Sequence, residues 1–253
     1  MGNLLRWLVK ARKHPVGIGL GVAFSLAVGL SELTGFNARV LPDLWDNLTK
    51  ENLTEETRLV LGRRLRELAR DGSLSVDESQ RLRDFAAGLN LQPRAVEKYL
   101  AELEPRVARS ARALQEGADL AAQRRFPEAR ARFQEAITSD DQNTLAWAGL
   151  GGAALELGAI DDAEAALKKA LKLDPDSIEA NYNFGACLAV KKQNNAALDH
   201  LERSMSLLRR ANGSAAINRQ ALLGDLQKNP CFSSLRPLPR FGALLRQAEN
   251  EAR

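Results

Sequence analysis

Residues 147–175 read WAGLGGAALELGAIDDAEAALKKALKLDP, and this stretch decides the fold because its landmarks recur at a fixed step. Gly151 has counterparts 34 residues away on either side, at Gly117 and Gly185. Ala163 repeats in Ala129 and Ala197, Leu167 in Phe133 and Leu201, and Ala170 in Ala136 and Ser204. A period of this length marks a solenoid of stacked helix pairs. In each copy the glycine falls in mid-helix, where its missing side chain lets the partner helix approach. The alanine twelve residues later does the same from the second helix. Turn signals separate the two: Pro127, Gly158 before Asp161, and Asn194-Asn195. Phe133, Leu167 and Leu201 then fill the space between neighbours, since no single repeat can bury its apolar face alone. A solenoid of this kind offers an extended surface for holding another molecule.

Trp147, Leu150, Gly151, Ala163, Leu167, Ala170 and Pro175 stand at the spacings of the tetratricopeptide (TPR) pattern, with Ala154 replacing the usual Tyr. The three copies, spanning about residues 110–210, resemble that family. The first departs from it at Glu116, for Leu, and Asp141, for Pro; the third at Asn181, for Trp, Phe184, for Leu, and Arg209, for Pro. The resemblance implies a concave groove lined by the first helices. Carried over residue by residue, it assigns Leu114 and Ala118, then Leu145, Ala148 and Leu155, then Glu179, Tyr182 and Ala186. TPR proteins that grip a terminal carboxylate use Lys, Asn and Arg where Leu114, Ala118, Glu179 and Asn183 stand here, so that clamp is missing. An apolar lining suits an amphipathic helix or a hydrophobic segment of a protein partner. Coverage by the chain's own C-terminal or middle segment is the competing expectation.

Downstream, a helix through Leu222, Leu223 and Leu226 precedes Asn229-Pro230-Cys231-Phe232, Leu235 and Pro239-Arg240-Phe241. These resemble a tail that closes TPR arrays, so Phe232, Phe241 and Leu245 are expected to cap the exposed end. Upstream, residues 54–103 regain the helical period. Leu59, Leu61, Leu65 and Leu68 lead to the turn Asp71-Gly72, and Ser75 with Glu78 predicts a capping box. A third helix holds Val96, Tyr99 and Leu100. Residues 68–78 and 85–91 resemble TerB-like helical domains, some of which are suspected of binding metal through acids. Here Asp71, Asp77 and Glu78 would be the candidates, and capping explains them more simply. A helix-turn-helix with residues 94–103 as recognition helix is the alternative, although Pro93 and Glu97 fall where base contacts belong.

The reading divides the chain into a basic N-terminus with a candidate membrane anchor (1–36) and a linker (37–53). A small helical domain (54–105), the TPR array (106–212) and a capping segment (213–253) follow. Residues 15–31, PVGIGLGVAFSLAVGLS, hold no charge, and a bilayer-spanning helix needs ~17–25 apolar residues. Arg6, Lys10, Arg12 and Lys13 precede the run and Glu32 closes it, matching an anchor with a cytoplasmic N-terminus. Leu4, Leu5, Trp7, Leu8 and Val9 among those bases suit an interfacial helix on anionic lipid. A cleaved signal peptide and a buried or interfacial hairpin are the competing readings; Gly17, Gly19, Gly21 and Gly29 weaken a lone helix. The side of the membrane that carries the repeats is open.

The rest of the composition narrows function by what is missing. No alternating β-branched run supports a sheet, so the fold class is all-α. The net charge is +4, with basic excess at both ends and a near-neutral body, which fits anionic lipid or an acidic partner. The C-terminal excess lacks the aromatic interleaving of single-strand binders. Cys187 should be a small core residue of the third repeat, and Cys231 lies in the tail; no disulfide framework or metal spacing emerges. His14 and His200, the latter expected at the surface, have no Cys or carboxylate at ligand or triad spacing. No P-loop exists. The expectation is a non-enzymatic, membrane-anchored TPR scaffold without cofactor or metal, organising protein partners. The alternative is a soluble regulator with a nucleic-acid-binding domain at 54–104.

Overall fold

In a computed structural model the described residues are 53–69, 73–89, 91, 93–210 and 219–251. Among them there are α-helices and one 3₁₀ turn, and no strand. Helix α1, Glu55–Leu68, starts where the Thr54 hydroxyl accepts the Thr57 amide, and Glu55 and Glu56 in its first turn complement the dipole. Helix α2, Val76–Gly88, carries the expected capping box: Ser75 accepts from the Glu78 amide, and Glu78 accepts from the Ser75 amide at 2.9 Å. Leu61, Leu65, Leu82, Val96 and Leu100 bury their side chains together, joining α1 and α2 to the start of α3.

Helix α3, Pro93–Ala122, runs on from this small core into the repeats. The expected boundary at 105/106 falls inside it, at Pro105. Proline at that point removes one helical hydrogen bond. The helix continues because Leu103, Val107, Ser110 and Ala111 on either side of it are all buried. A second tie fixes the small core to the array. Arg66 of α1 donates two hydrogen bonds to Asp140, 2.5 and 2.8 Å, across 74 positions of sequence. Asp140 is 1% exposed, and its carboxylate also accepts the Gln142 amide.

The array consists of three antiparallel pairs. The second half of α3 pairs with α4 (Phe126–Ser139), α5 (Thr144–Glu156) with α6 (Ile160–Leu173), and α7 (Ile178–Val190) with α8 (Asn194–Arg210). The 34-residue step reappears as one contact. A Cβ built on Gly151 would lie 2.5 Å from Leu167 Cγ; on Gly117, 2.7 Å from Phe133; on Gly185, 2.8 Å from Leu201. Each glycine is therefore the seat for the large side chain of its own partner helix. Phe133 also presses on Gly149 of the next repeat, where a Cβ would come within 2.6 Å.

The departures from the repeat pattern have local reasons. Leu150 packs against Ala129 and Phe133 of the preceding repeat, but the first repeat has no predecessor, and its Glu116 instead pairs with Arg132 at 3.2 Å. Asn181 stands in for tryptophan by making the same bond. Trp147 Nε1–H donates to the carbonyl of Asp141 at 2.8 Å, and Asn181 Nδ2 donates to that of Pro175 at 2.9 Å, each six residues back. After residue 210 the described chain resumes at α9, Arg219–Lys228, then a 3₁₀ turn, Pro230–Phe232, and α10, Pro239–Glu251. Leu226, Phe232, Leu235 and Phe241 are at most 1% exposed, in one core with the third repeat. Phe232 and Phe241 thus cap the array, with Leu245 half-buried beside them.

Candidate partner-binding groove

The first helices of the pairs pack directly on one another, α3 on α5 and α5 on α7. The second helices do not pack on one another to a comparable extent, and an ion pair, Arg130 to Asp162 at 2.8 Å, bridges α4 and α6. A layer whose helices touch, backed by one whose helices are splayed, curves toward the first. The concave face is the one presented by α3, α5 and α7.

The sequence-assigned groove residues divide into three groups. Leu114, Ala118 and Leu145 keep exposed or half-exposed surface on that face, and so does Glu179. Ala148, Leu155 and Ala186 do not: each is buried, Ala148 at 1% against Ala170 and Ala180 between the second and third repeats. Asn183 is half-buried and donates to the Ala148 carbonyl at 3.2 Å. Gly152 makes room for it, since a Cβ there would lie 3.0 Å from the amide. Ala148, Gly152 and Asn183 thus close the inner face where the second and third repeats meet.

Tyr182 belongs to the third group, residues claimed by the chain itself. Its hydroxyl donates to the Asp225 carboxylate of α9, and its ring meets Phe232 edge-on with centroids 5.7 Å apart. Burial and the adjacent carboxylate push its ionisation well above the ordinary tyrosine value. Asn229 holds the other side of Asp225, at 3.2 Å. Ser234 Oγ–H donates to the Ala189 carbonyl at 2.9 Å, pinning the tail to the end of α7. Arg240 of α10 reaches Asp199 and Glu202 of α8 at 2.6 Å. The C-terminal segment thus covers the inner face of the third repeat, and no other described residues lie over that of the first two. Tyr182 gave no sequence sign of this, because its partner lies 43 positions downstream with no repeat relation to it.

The remaining singled-out side chains are structural. His200, expected at the surface, is half-buried: its Nδ1 lies 2.9 Å from Asn181 Oδ1 and its ring stands edge-on to Phe184. Asn181 spends its amide protons on the Pro175 and Ser177 carbonyls, so the histidine must be the donor. Cys187 is fully buried in α7, and burial raises its thiol to about 11. Asp77 pairs with Arg81, Glu78 caps α2, and Asp71 lies outside the described residues. Residues 94–103 are the first turns of α3, and Glu97 is taken by Arg83 at 2.8 Å. Among the described residues no helix is long and apolar enough to cross a membrane; residues 15–31 lie outside them.

Comparison with known families agrees with this geometry. Residues 114–178 and residues 154–215 each match a family model described as tetratricopeptide repeat. Neither match reaches residues 54–104, where the likeness to TerB-like domains was noted. No curated protein matches the chain.

Proposed function

We propose, residues 114–215 being tetratricopeptide repeats, that this chain is a non-enzymatic scaffold that holds a protein partner in its concave groove and organises a complex at a membrane. Repeats of this family serve protein–protein interaction, which gives the general role. One observation supports the choice of face: among the described residues no segment lies over the inner surface of the first two repeats, where Ala118 is exposed and Leu145 half-exposed, while the third is filled from within the chain. Exposed apolar surface that the fold does not use marks an interaction site. A helical or hydrophobic segment of a partner suits it better than a chain terminus, since no Lys or Arg stands at the clamp positions.

Residues 1–31 support the membrane part, with a charge-free run behind four bases. Two measurements test the proposal. Carbonate extraction of membranes should leave the chain in the pellet, and release into the supernatant would end the anchored reading. Pull-down with mass spectrometry should lose its principal partner on Leu145→Glu while circular dichroism stays unchanged. An undiminished partner would move the site away from the groove.

A further inference from the structure

The small core that precedes the array keeps one apolar side uncovered. Of the six large apolar side chains exposed among the described residues, four, Leu59, Val60, Val76 and Leu89, belong to α1, α2 or the residue after α2. Leu59 and Val60 are neighbours in α1, 53% and 41% exposed, with the exposed Glu56 and Arg63 one turn to either side. The other sides of α1 are taken. Its Leu61 and Leu65 are buried with Leu82 and Leu100, and Arg64 lies over the Phe85 ring of α2. Tyr99 of α3 donates its hydroxyl to the Arg58 carbonyl at 2.9 Å. Leu59 and Val60 stand on the side of α1 away from both helices.

The chain just upstream offers a complementary surface. Residues 41–48 read LPDLWDNL, and Leu41, Leu44, Trp45 and Leu48 hold the i, i+3, i+4, i+7 spacing of one helix face. Asp43, Asp46 and Asn47 fall on the opposite face, and Pro42 suits a first helical turn. These residues lie outside the described ones. Only Glu51, Asn52 and Leu53 separate Lys50 from the Thr54 cap of α1, and Leu53 is half-buried against the small core. A connection of about 2–5 residues returns one helix antiparallel along the next. At ~1.5 Å per residue, Trp45 and Val60 both stand ~8 Å from that connection.

We propose that residues 41–50 form a further helix of the small core, docked through Leu44, Trp45 and Leu48 on the Leu59–Val60 face of α1. The occupant is the chain's own segment because a three-residue tether holds it beside this face. A lone helix shorter than ~12–15 residues is marginal in water, so the segment needs such a support. Docking leaves residues 32–40 as the free chain behind the charge-free run at 15–31, ~30 Å when fully extended. The repeats are then held close to the bilayer. That last step rests on the membrane reading above; the docking does not.

Hydrogen exchange of the full chain in nonionic detergent, read by mass spectrometry, tests the docking against a synthetic peptide of residues 37–53. Amides of residues 43–50 should exchange ~10-fold or more slowly in the chain than in the peptide. Leu59→Ser with Val60→Ser should abolish that difference while α2 and α3 keep their protection, and Val76→Ser should leave it intact. Trp45→Ser, which leaves the buried residues of the small core unchanged, should release the segment equally. Exchange at the peptide's rate in the parent chain would overturn the proposal. So would protection that survives either releasing variant, the result if the segment lies on the micelle. Protection lost on dilution would assign the contact to a second copy and overturn it too. Carbonate extraction separates the two levels: release of the chain with the protection intact ends the tether and leaves the docking.

Discussion

Gly151→Ala would be a stabilising substitution in most helices, because alanine is favoured over glycine by about 0.8–1 kcal/mol in a helix interior. Here the added methyl would start 2.5 Å from Leu167 Cγ and 2.8 Å from its Cδ2. Ordinary carbon contacts sit at about 3.5–4.0 Å, so one group must retreat by about 1 Å or more. Leu167 is 0% exposed and packed in one core with Ala163, Phe184 and Leu201, so its retreat would press on them. Overpacking of this kind costs about 1–3 kcal/mol, which exceeds the propensity gain. The net expectation is a loss of about 1 kcal/mol, or ~2–4 °C in Tm for a chain of this size. Gly224 supplies the control, since it lies in α9 with nothing within 4 Å of its built Cβ. Gly224→Ala should raise Tm by a similar amount. Thermal unfolding followed by circular dichroism reads both, and on a Leu167→Ala background Gly151→Ala should become stabilising. If Gly151→Ala and Gly224→Ala stabilise alike, the glycine is not a seat for Leu167 and the packing argument is wrong.

Three further outcomes follow from single contacts. Arg66→Ala leaves the buried Asp140 carboxylate without its counter-charge and should cost about 3 kcal/mol, read by chemical denaturation; a loss under about 0.5 kcal/mol would mean the pair does not join the small core to the array. Tyr182→Phe removes one hydrogen bond to Asp225 and should cost ~1 kcal/mol, appearing as faster amide exchange in α9 and not in α5; uniform exchange rates would count against the closure of the third repeat. Burial holds the His200 imidazole below its ordinary 6.5, so the unfolded chain takes up the proton first as pH drops. Its contribution is intact above about 6.5 and declines below it, and His200→Gln should flatten Tm against pH in that window.

What the sequence made legible were relations that recur. The step linking Gly117, Gly151 and Gly185 to Phe133, Leu167 and Leu201 is written three times, so spacing alone located those contacts. Ser75 and Glu78 were equally readable, because a cap acts within a single turn. Arg66 with Asp140, and Tyr182 with Asp225, are single pairs across long separations, and nothing periodic announces them. The groove assignment was coarse for a related reason. Repeat positions fix which way a side chain starts, but whether Ala148 or Ala186 reaches solvent depends on how closely the next helix lies. The division at 105/106 falls within one helix because burial on both sides of Pro105 outweighs one lost hydrogen bond.

The central claim is that the inner face of the first two repeats holds a protein partner. A photo-crosslinking residue placed at Leu145 on that face, and separately at Ala165 on the exposed outer side of α6, tests it in the intact chain. The account predicts one discrete crosslinked partner from position 145 and none from position 165. A partner captured from position 165, with position 145 silent, would contradict it.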